Sequence, residues 1–535
     1  MPKVGLVSLG CPKNLVDSEV MLGVLAGHGY ELTPRAEDAD VLIVNTCGFI
    51  APAKQESIDT ILEMAEHKKS GKAKRLVVAG CLVERYRQDI LREIPEVDFV
   101  VGTNEVERIL EACDLKVEAQ DAGLKAGATS TTSARQDADL KVGAPLTTSV
   151  TGRRRGLEGR AEPYLYHEFT PRVLATPSYS AYVKIAEGCD HPCTFCVIPQ
   201  MRGHFRSRRF ESVVREVESL VRQGVREITL IGQDTTSYGR DLGLSDGLPR
   251  LLRELGQPGK IPDLVWLRFL YCYPNQVTDA LIAAVAETPK VAKYFDIPLQ
   301  HASAPVLKRM KRGSSGRHFL KMLERIRAGV PNVALRTSMI VGFPGETEED
   351  FKALMDFVSA AEFDHLGVFL YSNEETSGSF ALPNQVPAGV ARRRQRQLLA
   401  LQRKISRRKL RARVGQSGQS LPVLVEGRSE ETDLLFKGRA EWQAPEIDGS
   451  VLINDFEGTE PVPGEFRWAT LTASSDYDLV ARLEARAFAE TPVHGMVRTP
   501  YSHMSVPASA GPQLVNIAVS YQPSALGKKA HVSTY

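Results

Sequence analysis

A chain of 535 residues, 43% hydrophobic and 25% charged, is long enough for several cores, roughly two to four domains. Its 67 basic and 65 acidic residues leave a net charge of +2, which excludes a uniformly basic nucleic-acid coat, so any polyanion contact must come from local asymmetry. Eight cysteines over this length are too sparse for a disulfide scaffold. The start, MPKVGLVSLG, has no charged segment leading into an apolar one, and no run approaches about 18 apolar residues. A cytoplasmic protein with reduced thiols and no membrane segment is expected.

Over residues 3–113 the apolar runs KVGLVSLG, VLIVNTC, RLVVAGC and DFVVG alternate with amphipathic stretches. This predicts βαβ units around an open parallel sheet, placed at residues 1–116. Residues 117–162 turn to Ala, Gly, Ser and Thr with little periodicity and a basic run at Arg153, Arg154 and Arg155, the composition of a disordered insertion or linker. A second alternating series follows in SAYVKIAEG, REITLIGQD, VWLRFLYC, YFDIPLQH, ALRTSMIVGFP and HLGVFLYS, separated by helical segments such as residues 211–223 and 347–360. Six βα repeats predict a partial (β/α)6 barrel over residues 163–414, its active site at the C-terminal strand ends. A basic helical stretch, residues 390–414, closes it. The short segments LPVLVEG, LLFKGRAEW, GSVLIND and RWATLTAS predict a small antiparallel β-barrel at residues 415–487, and residues 488–535 read as a flexible tail. The fold class is α/β, with a parallel N-terminal sheet, a partial barrel and a C-terminal β-barrel.

Cys189, Cys193 and Cys196 stand in EGCDHPCTFC directly after a predicted strand. Three thiolates on a 4Fe-4S cluster leave one iron open to a ligand. A zinc knuckle completed by His191, or a coincidence of buried cysteines, is the competing reading. Cys11, Cys47 and Cys81 are dispersed, but each ends a predicted strand, and their separations of 36 and 34 residues approximate one βαβ repeat. Carboxyl ends of neighbouring parallel strands share one rim, so these thiols suggest a second three-ligand cluster; three unrelated buried cysteines are the alternative. Cys113 and Cys272 lack partners and read as small buried hydrophobes.

The CxxxCxxC spacing after the first barrel strand resembles the radical S-adenosylmethionine (SAM) superfamily, in which the open iron binds SAM and an electron cleaves it. SLGCPKNLVDSE, NTCGFIAPAKQESIDTI and AGCLVERY resemble the amino-terminal domain of methylthiotransferases, and the β-rich C-terminal part resembles their TRAM domain. The wording SLGCPKNLVDSE and NTCGFI is closest to the RimO type, which modifies an aspartate of small-subunit ribosomal protein twelve. The MiaB type, which modifies tRNA adenosine, is the nearest alternative, and an iron-sulfur sensor is the alternative of another class. The resemblance implies two 4Fe-4S clusters, an auxiliary one on Cys11, Cys47 and Cys81 and a radical-generating one on Cys189, Cys193 and Cys196, with SAM as co-substrate and a reducing electron donor as partner. It also implies SAM contacts from Gln233 and Asp234 in IGQD and from Gly342, Pro344 and Gly345 in IVGFPGETEEDF, where a plain βα turn is the other reading. Phe195 is either a lid or ordinary packing. His301 lines the same mouth or is a hydrogen-bonded structural histidine. The insertion and the tail exceed the family plan and receive no role.

Residues 416–486 hold 14 acidic residues against 6 basic ones, whereas residues 390–414 hold 11 basic residues and no acidic one. The acidic excess would repel phosphates and attract a basic ribosomal protein. The basic stretch is either a solvated helix face or a contact for ribosomal RNA.

Overall fold

The computed structural model describes residues 1–115, 164–415 and 420–488, with the backbone of Gln522–Pro523. The expected insertion at 117–162 and all of the expected tail except Phe488 and that dipeptide lie outside the described residues.

The N-terminal strands are β1 (Lys3–Gly10), β2 (Glu31–Leu32), β3 (Val41–Thr46), β4 (Arg75–Gly80) and β5 (Phe99–Val101). They pair in parallel in the order β2-β1-β3-β4-β5, and Gln522–Pro523 adds a short parallel pairing to β1. The continuous apolar strands are buried on both faces, as parallel strands covered by crossover helices must be. Helices α1 (Pro12–Gly27), α2 (Ala51–Ser70) and α3 (Cys81–Glu93) make the crossovers. Pro12 opens α1 at a position where the missing N–H costs nothing. Lys13, Asn14, Asp17 and Glu19 are buried in α1, so this helix is covered on its polar side as well.

What covers it is the central domain. Its strands are β6 (Ser180–Lys184), β7 (Ala186–Glu187), β8 (Arg206–Ser207), β9 (Glu227–Ile231), β10 (Trp266–Phe269), β11 (Tyr294–Asp296), β12 (Ala334–Val341) and β13 (His365–Leu370). Two parallel three-stranded sheets, β6-β9-β10 and β11-β12-β13, join through a bridge between Leu267 and Val291, giving the expected arc of six strands. The pair β7–β8 is a hairpin inserted after β6. The helix Glu348–Ala361 starts with a capping box in which Thr347 and Asp350 satisfy each other's backbone amides.

Strands β14 (Ser420–Arg428), β15 (Phe436–Ala440), β16 (Val451–Phe456), β17 (Phe466–Ser474) and β18 (Leu479–Ala487) close a barrel in the order β14-β15-β16-β18-β17. The fifth strand, LVARLEARA, was not anticipated; only Leu479, Ala481 and Leu483 face inward, a weak apolar alternation among charges. The barrel docks on the central domain through Arg439, whose guanidinium lies 2.6 Å from buried Glu227, and through Trp266 packed edge-on against Phe466.

Candidate functional site

Cys11, Cys47 and Cys81 immediately follow β1, β3 and β4. Since β2 leaves β1 on one side and β3 on the other, the sheet reverses its order between β1 and β3, and the crevice at that switch lies where Cys11 and Cys47 emerge. The rim is tight. Gly10 has φ +94°, and a Cβ there would stand 2.8 Å from Cys47 Cβ and 3.2 Å from its sulfur. The Cys47 amide donates to Ser57 Oγ at 3.0 Å, and that hydroxyl donates back to the Cys47 carbonyl at 3.0 Å. Cys81 Sγ lies 3.6 Å from Asn14 Oδ1.

The second triad sits on the loop leaving β7. Gly188 there has φ +80°, and a Cβ would fall 2.1 Å from the His204 carbonyl oxygen, so a side chain is excluded. Thr194 pins the loop across the barrel, its amide donating to the Met310 carbonyl at 3.1 Å and its hydroxyl to that of Arg309 at 2.9 Å. Arg312 Nη1 donates to Cys193 Sγ at 3.5 Å, and its guanidinium lies 4.5 Å from the Tyr273 ring centre. Tyr273 stacks on His191 at 3.6 Å, and His191 Nε2 is 2.6 Å from Asp234 Oδ2.

Asp234 is therefore already engaged. Burial pushes its carboxyl up, but the bonds from His191, from Ser237 Oγ at 2.6 Å and from the Thr236 hydroxyl hold it below the usual range, and the Thr236 amide donates to it as well at 2.9 Å. Its visible task is to orient His191. Gln233 differs. Its Nε2 donates to Glu187 at 2.7 Å, but its buried Oε1 has no hydrogen-bond partner among the described residues, which leaves an acceptor for an ammonium group. Gly342, at φ +83°, is pressed by the closing helix, since a Cβ would meet that of Ala391 at 2.6 Å. The carbonyls of Pro344 and Gly345 accept from Arg309 at 3.1 and 2.9 Å. The glycines of this turn thus make room for protein neighbours. His301 is fully buried, accepting from the Ser303 amide at 3.0 Å, and Phe195 packs with Val306, Met310 and Phe343.

Between the triads runs a buried charged seam that the sequence reading missed. Lys184 Nζ lies 2.5 Å from both Asp17 and Glu187, and Arg202 Nη1 lies 2.7 Å from Asp17 and 3.2 Å from Glu187. Lys13 Nζ sits 3.4 Å above the Tyr271 ring. Cys81 packs with Val197 and Met201, one and five residues after Cys196. Asn14 and Asp17 were visible in SLGCPKNLVDSE, but at helical spacing they look like an ordinary solvated face.

Three family profiles match the chain: Uncharacterized protein family UPF0004 at residues 3–102, the Radical SAM superfamily at residues 183–358 and the TRAM domain at residues 418–483. A ribosomal protein uS12 methylthiotransferase RimO from Solibacter usitatus (strain Ellin6076) is 58% identical over 90% of this chain and 95% of its own. Its counterpart from Koribacter versatilis (strain Ellin345) is 57% identical over 90% of this chain and 96% of its own. The chain belongs to the uS12 methylthiotransferase family. Among solved structures, the radical SAM methyltransferase TsrM from Kitasatospora setae, with cobalamin and a [4Fe-4S] cluster bound, is 16% identical, with a TM-score of 0.47 over 71% of this chain and 74% of that one.

For a methylthiotransferase the donor sets are apt. Burial pushes the Cys189 and Cys196 thiols up to about 11 and about 12, and Cys81 to about 11 with Arg202 pulling it back. Thiols so buried keep their protons unless a metal centre replaces them. Thiols spread round a rim and a loop suit a cluster, in which each ligates a different iron.

Proposed function

We propose that this methylthiotransferase replaces a hydrogen on the β-carbon of an aspartate in ribosomal protein uS12 by a methylthio group, using Cys189, Cys193 and Cys196 to hold the SAM-cleaving 4Fe-4S cluster and Cys11, Cys47 and Cys81 to hold an auxiliary one. The observation that carries this reading is the placement of two three-thiol sets on either side of one buried seam, with Cys81 packed against the segment that follows Cys196. When bound, the first cluster supplies the electron that cleaves SAM and the second supplies or relays the sulfur.

The chain's own residues hold the parts still and dry. Arg312 fixes the Cys193 sulfur and, through Tyr273, clamps His191 in a stack that Asp234 locks from its other edge. Gln233 offers its unpartnered Oε1 to the SAM ammonium while Glu187 restrains its amide. The switch between β1 and β3 brings Cys11 and Cys47 to one rim beside α1, whose Lys13, Asn14 and Asp17 are buried.

In this reading residues 1–116 carry the auxiliary cluster, residues 163–414 the SAM-cleaving one, and residues 415–487 the β-barrel. An electron donor completes the reaction. In the basic closing helix, Ala388–Gly415, seven of the 11 basic residues pair with acidic residues of this chain, for instance Lys409 with Asp364 at 2.8 Å and Arg394 with Glu348 at 3.0 Å. That favours a structural role over ribosomal RNA contact for most of it. The test is incubation of the reduced, reconstituted protein with SAM and uS12: a gain of about 46 Da on uS12, the mass of methylthio for hydrogen, is expected, and the same gain on tRNA alone would overturn the reading.

A further inference from the structure

The seam joins the two halves by a closed set of charges. Lys184 and Arg202 face Asp17 and Glu187 with side chains at most 7% exposed, so two cations and two anions cancel. Buried charges of this kind persist only when paired and hydrogen-bonded. A self-neutral quartet has no need to reach further, yet Arg202 does. Its second terminal nitrogen donates to Asn14 Oδ1, the oxygen that faces Cys81 Sγ at 3.6 Å. Arg202 comes from the segment that leaves the Cys196 loop, while Asn14 and Asp17 come from the helix that starts just after Cys11. The guanidinium is thus the one member of the quartet that extends from the central domain to a thiol of the N-terminal rim.

We infer that Arg202 is a positioning residue for the Cys11, Cys47 and Cys81 site, holding Asn14 against the Cys81 thiol and setting the reduction potential of the cluster bound there. The inference rests on the auxiliary-cluster assignment proposed above. A cluster on three thiolates gains a negative charge on reduction, and a fixed cation in a water-poor seam favours that reduced state, whereas a fixed anion disfavours it. Glu187, bonded to the same guanidinium, therefore has the opposite influence. It makes no hydrogen bond or ion pair to the three cysteines, so it acts on the site through its charge and through its hold on Arg202.

The experiment uses the full chain with Cys189, Cys193 and Cys196 replaced by Ala, so that iron can load only at the N-terminal site. After anaerobic reconstitution, iron and sulfide per chain are measured and the cluster potential is titrated by electron paramagnetic resonance. Arg202→Met is expected to lower the potential, Arg202→Lys to restore part of the loss, and Glu187→Gln to raise it. If Arg202→Met does not fold, because Asp17 and Glu187 are left with one cation, the opposite-signed shift in Glu187→Gln and the partial shift in Arg202→Lys decide the matter. Unmoved potentials in the folded, iron-loaded variants would overturn the inference and leave Arg202 a structural tie. Absence of any cluster in the starting triple variant would overturn the auxiliary assignment instead.

Discussion

Cys189, Cys193 and Cys196 lie within eight residues of one loop, whereas Cys11, Cys47 and Cys81 come from three strand ends spread over 71 residues. The loop triad owes its spacing to local chain geometry, trimmed by Gly188 and pinned by Thr194. The rim triad owes its existence to parallel register: Val4 opposite Val41 and Val41 opposite Arg75 put the ends of β1, β3 and β4 level. One site is written in a motif and the other in a topology. The two should therefore fail in different ways.

The largest effect should come from removing the triads one at a time. With both sites intact, reconstituted protein should hold about eight irons, as two four-iron clusters require. Replacing Cys189, Cys193 and Cys196 by Ala should remove half of the iron and abolish 5'-deoxyadenosine formation from SAM. Replacing Cys11, Cys47 and Cys81 should remove the other half and leave some SAM cleavage, measured by chromatography of the nucleoside. Full iron retention in the second variant would show that the strand ends do not form a site.

A single methyl group should separate the two modes of construction more finely. Gly80 has φ +95°, and a Cβ there would lie 2.3 Å from Asn45 Oδ1 and 2.6 Å from the Thr46 carbonyl, so Gly80→Ala forces β3 and β4 apart just where Cys47 and Cys81 begin. Gly188→Ala collides with the His204 carbonyl beside Cys189. Each strained position should cost about 1–3 kcal/mol in denaturant unfolding. Gly80→Ala should lower iron at the rim while SAM cleavage survives, and Gly188→Ala should do the reverse. Loss of both clusters from either change would mean that the sites are not independently built.

The same contrast explains what could be read from the sequence. The four principal N-terminal strands, the six barrel strands and the Cys189, Cys193 and Cys196 motif stand out because apolar runs and close cysteine spacing are local signals, whereas Cys11, Cys47 and Cys81 become a set only through the order of the strands they follow. Strand β2 is two residues long, and the hairpin β7–β8 pairs only Ala186–Glu187 with Arg206–Ser207, so neither has a period to detect. The seam was illegible for another reason. Lys13, Asp17, Lys184, Glu187 and Arg202 are buried only because two domains meet there, and a charged residue carries no mark of a distant partner. Gly342 illustrates the converse: its positive φ was foreseeable at a βα turn, but its neighbour, Ala391, lies 49 residues further along.

The smallest expected effect concerns the barrel, where the charge count of the sequence and the structure differ in emphasis. Much of the acidic excess is neutralised at close range: Glu426 lies 2.6 Å from Arg439, Glu457 2.6 Å from Arg482, Asp455 3.2 Å from the same arginine, and Glu460 pairs with Arg428. Glu430, Glu431 and Asp433 are different. They are exposed in the turn between β14 and β15, their carboxylates make no ion pair among the described residues, and Leu434 beside them is 87% exposed. An unpaired acidic tip flanking an exposed apolar side chain suits a basic protein better than a phosphate backbone. Reversing Glu430, Glu431 and Asp433 to Lys should weaken binding of uS12 several-fold at low ionic strength. The deficit should shrink as salt rises, because at about 0.1 M the screening length is only about 10 Å. SAM cleavage without substrate should not change, since the tip belongs to the barrel and none of the six cluster cysteines does. Equal uS12 affinity before and after reversal at low salt would place the docking surface elsewhere, and tight tRNA binding by the unaltered chain would show that its paired arginines, rather than this tip, set the sign of the partner.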